Sequence, residues 1–240
     1  MRVLGIDGCK GGWIYIGLGN SEPSFGVINS IKELTALQED DALYFIDIPI
    51  GLIDEGAERE CDRLSRRILG QGRGSSVFPS PTRQAIYCSN YPEASVLNHE
   101  FTGRKLSKQS WAITPKIREL DELLASEPNL KGQIREVHPE LLFYGLASGK
   151  PMKWSKRTPE GFMERIELLE SVFNGAKPLF NLIRESTKPS IVAADDILDA
   201  MAAAVSATHP DFLLATVPAN PPRDQRGLIM EMVYPVSQGR

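Results

Sequence analysis

Residues 42–51 read ALYFIDIPIG and residues 2–8 read RVLGIDG, and these two runs decide the fold. Each is an apolar stretch that ends in a carboxylate, Asp47 in the first and Asp7 in the second. The longer run is almost continuously apolar, as expected of a central strand covered on both faces, and Pro49 and Gly51 end it. Two further runs, GGWIYIGLG (11–19) and SFGVIN (24–29), follow the first aspartate, with β-branched and aromatic residues between turn formers. The chain therefore opens as three consecutive strands. Ser30 then caps a helix over residues 31–38, with Glu33 completing a capping-box pattern, before the Asp47 strand.

Beyond that strand, residues 56–130 read as mainly helical, with loops rich in Gly, Ser and Pro such as GQGRGSSVFPSPTR (70–83). In TPKIRELDELLA (114–125), Thr114 reads as a cap and Pro115 as the first helical residue. QIREV (133–137) is a short strand. HPELLFYGLA (138–147), TPEGFMERIELLESVF (158–173) and the alanine-dense DDILDAMAAAVSAT (195–208) are helices, and RGLIMEMVYP (226–235) closes the chain as an extra strand. A strand meander followed by crossover strands predicts an α/β mixed sheet with helices on both faces. The expected organisation is a single domain over 1–240 with a basic, mostly helical insertion at about 55–130.

Composition narrows the class. With 42% hydrophobic and 24% charged residues the chain is ordinary globular material, so disorder does not dominate. Cys9, Cys61 and Cys88 form no CxxC pair, and an odd, sparse set fits a reducing compartment. The opening MRVLGID reads as a strand and not as a signal peptide, and no apolar run is long enough to cross a membrane; the expectation is a cytoplasmic protein without a membrane partner. Charge is uneven. Residues 59–118 carry eleven Lys/Arg against four acids, +7 there and -11 elsewhere. That pattern suits a polyanion surface; the competing reading is a solvated helical face.

The carboxylates point to chemistry. If the strands ending in Asp7 and Asp47 are parallel neighbours, both emerge at one sheet edge, where α/β proteins place ligands. Two buried carboxylates side by side repel unless a cation or proton intervenes, and magnesium or manganese suits oxygen donors. Asp196 and Asp199 stand three apart on a helix, hence on one face, and Ala200, Ala203 and Ala204 would let that helix approach the sheet closely. The competing reading makes Asp195 an N-cap and leaves the other two to favour the helix dipole.

Taken in order, GIDGCKGGW, IDIPIG, CDRLSRRILG leading to SVFPSPTR, EVHPE and DDILDA resemble the motifs of the DUF429 family, described as predicted RNase H-like nucleases. The resemblance spans Gly5 to Ala200. It implies an RNase H-like five-stranded mixed sheet and a divalent-metal nuclease site that uses magnesium or manganese on nucleic acid. The layout is also similar to that of RuvC-type resolvases, with an aspartate on the first strand, an acid on the fourth and two acids three apart on the final helix. Carried over, this implies Asp7, Asp47, Asp196 and Asp199 as metal ligands. Asp47 departs from the glutamate of those resolvases. They act as dimers, so a homodimer is an expectation by resemblance alone.

Other motifs are candidates beside competing structural readings. Glu136 in EVHPE is a further ligand or orients a water, and His138 is a base or a phosphate contact. Arg73 and Arg83 flank a loop suited to an anion, and Lys10 follows the Asp-Gly turn, where the glycines equally permit a tight hairpin. Lys153, Lys156 and Arg157 gather around Trp154, with surface as the bland alternative. Cys9 has no evident base, and His99 and His209 no ligand-like spacing. The functional alternatives are a phosphate- or nucleotide-handling enzyme of the actin and sugar-kinase type and a non-catalytic nucleic-acid or nucleotide binding protein.

Overall fold

Alternation along the first strand sets up two cores. In β1 (Arg2–Cys9), Val3 and Cys9 face one side and Leu4 and Ile6 the other, and all four are buried. The structure, a computed structural model, describes residues 2–19, 21–37 and 42–238. A tight hairpin leads to β2 (Gly12–Gly19), which pairs antiparallel with β1, and β3 (Ser24–Ile28) pairs antiparallel with β2. Gly12 sits at φ +122° with the Ile28 carbonyl where a Cβ would project, so only glycine fits the hairpin. β4 (Leu43–Ile46) lies parallel to β1, with Ile46 opposite Ile6. In the connection to the next strand stand α1 (Glu60–Arg73), α2 (Arg83–Ile86), α3 (Tyr91–Thr102) and α4 (Lys108–Ser126). β5 (Ile134–Glu136) then pairs parallel with β4. The sheet order is β3-β2-β1-β4-β5, the five-stranded mixed sheet expected.

The remaining elements are α5 (Pro139–Leu146), α6 (Pro159–Val172), α7 (Ala176–Ser186), α8 (Ala194–Thr208), β6 (Phe212–Val217) and β7 (Met232–Ser237). Residues of α5 to α8 share a core with Val3, Ile14, Ile16 and Phe45, while Ile117, Leu120, Leu123 and Leu124 of α4 share another with Leu4, Ile6, Trp13 and Ile46. Helices therefore cover both faces. Part of the helical insertion is itself a layer of the core. A Cβ added at Gly5 would lie 2.0 Å from the Ala200 carbonyl oxygen and 2.9 Å from the Ala203 Cβ. Glycine on β1 and alanine on α8 together permit the closest helix approach to the sheet.

Four expectations change. Residues 31–37 form a 3-10 helix, although Glu33 does accept from the backbone N–H groups of Asn29 and Ser30 as a capping pair should; Gln38 lies outside the described residues. α4 starts at Lys108 under a Ser107 cap, not at Pro115. The helix runs through Pro115 because the Trp111 carbonyl, which loses its usual amide donor there, accepts from Thr114 Oγ1 at 2.8 Å. α7 was not foreseen; its Leu179, Phe180 and Ile183 meet the core while Pro178 falls in its first turn, where proline is tolerated. The closing strand β7 pairs with β6 in a separate two-stranded sheet and touches the main one through a parallel bridge from Val233 to Val137. Among the described residues no helix is long and apolar enough to cross a membrane.

Candidate functional site

The register that pairs Ile6 with Ile46 brings Asp7 and Asp47 to neighbouring positions just past it, and the Asp47 N–H donates to the Ile6 carbonyl at 3.0 Å. Parallel strands lie about 4.8 Å apart, so both carboxylates leave the same sheet edge on the same face. That face is the one covered by α8, whose buried Asp199 completes the group. Asp7 and Asp199 are buried and Asp47 half-buried. Burial first, then the charges of Asp47 and Asp199, push the Asp7 carboxyl well above its ordinary value. Burial and the Asp199 charge raise Asp47 to about 8, and burial raises Asp199 to about 6 against the pull of Lys156.

A cation already sits among them. Lys156 Nζ lies 2.6 Å from Asp199 Oδ2 and 3.5 Å from Asp195 Oδ2. Burial alone would lower its pKa, but the carboxylates of Asp199, Asp7 and Asp47 more than reverse that and hold the ammonium charged. Its loop is well tied: the Arg165 guanidinium donates to the Trp154 carbonyl, Glu164 accepts from the Lys153 and Trp154 N–H groups, and Thr158 caps α6. The surface reading of the Lys153–Arg157 cluster holds for Lys153 and Trp154, both exposed, and fails for Lys156. Nothing in the local sequence distinguishes one lysine from the other.

Asp7, Asp47, Lys156, Arg157, Arg73, Lys116, Ser80, His138 and Phe78 are among the residues lining a cleft of about 430 Å³. Lys116, from α4, donates to the Gly12 carbonyl and stands 4.2 Å over the Trp13 ring, its aliphatic stem against Gly8. Ser80 Oγ, His138 Nδ1, Glu140 Oε2 and Asp199 Oδ1 are buried without a hydrogen-bond partner. An unmet buried polar atom costs about 1–3 kcal/mol, and the three on the cleft-lining residues Ser80, His138 and Glu140 mark a surface suited to a polar ligand or water.

The other candidates divide. Asp196 is half-buried and its Oδ2 accepts from the Ala193 N–H at 2.8 Å, so it closes the first turn of α8; Asp195 is inside the helix and is not its N-cap. Glu136 pairs with Ile46, one residue short of the Asp47 level, and so points to the opposite face of the sheet from Asp7 and Asp47. There both its oxygens accept from Arg59, at 2.7 Å each, and one accepts from the Ile50 N–H. Arg59 also holds Asp62, and all three are buried. Glu136 is thus committed to an ion-pair network, although it, Arg59 and Asp62 also line part of the cleft. Burial depresses His138 to about 4, which leaves it neutral at physiological pH and a weaker base than an ordinary imidazole.

Arg73 lines the cleft, with Nε donating to the Met152 carbonyl. Arg83 is buried and pairs with Asp54, Asp121 and Asp224, which does not leave it free for substrate. Lys10 is exposed at the tip of the β1–β2 hairpin. Part of the positive excess of residues 59–118 is likewise tied up within the chain, where Arg59, Arg66, Arg83 and Arg118 bind its carboxylates or carbonyls, while Arg67, Arg104, Lys105 and Lys108 are exposed. Cys9 is buried in the core and burial raises its thiol pKa, which does not favour a thiolate nucleophile.

Among the described residues no three His, Cys, Asp or Glu side chains converge closely enough, as placed, to hold a metal ion. The donor chemistry nevertheless suits a hard divalent cation: three all-oxygen side chains at one edge, of which Asp199 Oδ1 has no partner. The positive charge at that point is now supplied by Lys156. No curated protein and no solved structure matches the chain. The model of the family described as "Protein of unknown function (DUF429)" matches residues 5–223. By that match, which covers most of its length, the chain belongs to the DUF429 family.

Proposed function

We propose that the cleft hydrolyses phosphodiesters of nucleic acid with the aid of magnesium or manganese held by Asp7, Asp47 and Asp199. The observation that carries this reading is the gathering of Asp7, Asp47 and Asp199 at one sheet edge, where Asp7 and Asp47 line a cleft that also presents Lys156, Arg157 and Arg73. Such a group is costly unless a cation neutralises it. A bound divalent ion supplies Lewis-acid polarisation of a phosphoryl oxygen and a water acidified for attack. The chain's own part is to orient and exclude. Arg73 and Arg157 present guanidinium forks of the kind that suit phosphate oxygens. Ser80 Oγ and the neutral His138 ring offer hydrogen bonds, and Phe78 and Ile113 line the apolar wall for a base or sugar. Asp196, occupied with the helix end, serves α8 more than the reaction.

The cleft volume bears on the substrate. About 430 Å³ is within the range of small-ligand sites and accepts one nucleotide unit, whereas a duplex is read from outside through its grooves. A strand end or an extruded nucleotide fits the space. Labelled single strands and duplexes, with bis(4-nitrophenyl) phosphate as a small probe, should be cut in manganese by the native chain. Asp7→Asn should keep its melting behaviour and lose turnover by at least about a hundredfold. Native-level turnover in that variant would refute the assignment.

One observation favours a second reading, binding of a phosphate ester without turnover: Lys156 already neutralises the acids. On that reading a labelled strand binds with salt dependence and none is cut, with manganese or without it.

A further inference from the structure

Lys156 stands where the reaction needs a cation. We propose that its ammonium is a tethered counter-ion that holds the position of the divalent cation in this cleft, and that cation and lysine compete for Asp199. The inference rests on the cation reading of the site and adds the residue that regulates it.

Three observations carry it. First, the contact is specific: Nζ reaches Asp199 Oδ2 at 2.6 Å and Asp195 Oδ2 at 3.5 Å, while the second oxygen of Asp199, buried, has no hydrogen-bond partner. Asp199 is therefore half-satisfied by the lysine, with a donor atom left over. Second, the backbone beneath Lys156 is fixed. Arg165 and Glu164 bind residues 153 and 154, and a Cβ on Gly161 would lie 1.9 Å from the Ser155 carbonyl oxygen, so the loop is seated directly on α6. The ammonium is thus delivered by design of the loop and not by a wandering surface chain. Third, the side chain itself is a third exposed at the cleft mouth, against about 1% for Asp199. It can rotate outward about its own bonds without disturbing the loop, whereas Asp199 cannot move without α8.

The consequence is ordered. In the absence of a divalent ion the lysine prevents three carboxylates from facing one another uncompensated. When the ion enters, the ammonium leaves Asp199 and remains at the mouth beside Arg157, where a phosphate would approach. A single monovalent charge cannot satisfy three carboxylates as well as a divalent one, so exchange is favourable, but it is weaker than at a site with no resident cation. Lys156 thereby sets the affinity for metal and couples its entry to the arrival of an anion.

The test is calorimetric titration of manganese chloride into the full chain, as native protein, Lys156→Gln and Lys156→Arg, with melting temperatures recorded in chelator and in manganese. Lys156→Gln should bind manganese about ten- to a hundredfold more tightly than the native chain, because a competing charge worth a few kcal/mol near the surface is gone. Lys156→Arg should remain close to native. In chelator at pH 8 Lys156→Gln should melt below the native protein, and manganese should raise its melting temperature more than it raises the native one. Binding in the Gln variant alone is the strongest form of the expected result. Equal or weaker binding by Lys156→Gln, while the native chain binds, overturns the competition and leaves the cation reading standing. No binding by either protein overturns both. If Lys156→Gln folds only when manganese is supplied, the ion has replaced the lysine as proposed; if it folds under neither condition, the lysine is not a stand-in and the inference falls.

Discussion

Replacing Asp47 by Asn fixes this side chain in an uncharged form of nearly the same shape, and it should make the metal-free protein more stable against unfolding at neutral pH. Asp47 holds its proton up to about pH 8 in the folded state against an ordinary value of 3.8, chiefly through burial and then through the Asp199 charge. Between those two values the folded protein binds more protons than the unfolded chain, so stability falls as pH rises across that window. Each pH unit contributes about 1.4 kcal/mol, which amounts to roughly 5 kcal/mol by pH 7.5 and roughly 1–2 kcal/mol at pH 5. The Asn amide, partly desolvated in its turn, gives back about 1–3 kcal/mol. The net expectation is Asp47→Asn more stable than the native protein by roughly 2–4 kcal/mol at pH 7.5 and level with it or slightly weaker near pH 5. Urea unfolding in chelator measures this directly. With a slope of about 2–3 kcal/mol per molar, the midpoint should rise by about 1 M at pH 7.5. A native protein whose stability is flat or rising from pH 5 to 8, or an Asn variant weaker than native at pH 7.5, would refute the buried like-charge argument.

Two further outcomes follow from the packing around the cleft. Gly5→Ala places a methyl against the backbone of α8, which cannot yield locally, so a loss of about 3 kcal/mol or more is expected in the same urea assay. Arg59→Met leaves Glu136 and Asp62 buried without their cation and should cost about 3–5 kcal/mol at pH 7.5, less at lower pH, where Glu136, raised by burial, takes up a proton. A near-neutral effect would show that the network is hydrated and leave Glu136 open to another role.

How much of this was readable beforehand differs from residue to residue. Asp7 and Asp47 were legible because each ends an apolar run that can only be a central strand, and parallel neighbours release their carboxyl ends at one edge. Asp199 was legible through helical spacing, and the alanines beside it through the need for close approach, which Gly5 meets from the other side. The same spacing gives Asp196 a capping role that the pair alone does not display, since its Oδ2 reaches back to the Ala193 N–H. Glu136 takes its partner from register, which a sequence does not display. A one-residue difference in pairing sends its side chain to the other face of the sheet, to Arg59.

By itself, then, the order of residues determined the local choices: strand where apolar runs end in turn formers, helix where apolar residues recur with helical spacing, a hairpin at Gly11–Gly12, and the carboxylates at strand and helix ends. Those depend on backbone sterics and on side-chain periodicity within a few residues, which a sequence displays directly. Tertiary structure alone decided which charges meet. Lys156 is more than forty positions before Asp199 bonds to it only in space, and Arg83 finds Asp121 and Asp224 across three separate segments. Whether a basic residue faces solvent, a partner carboxylate or a cleft is set by burial and by long-range pairing, and neither leaves a mark on the residues next to it in the chain.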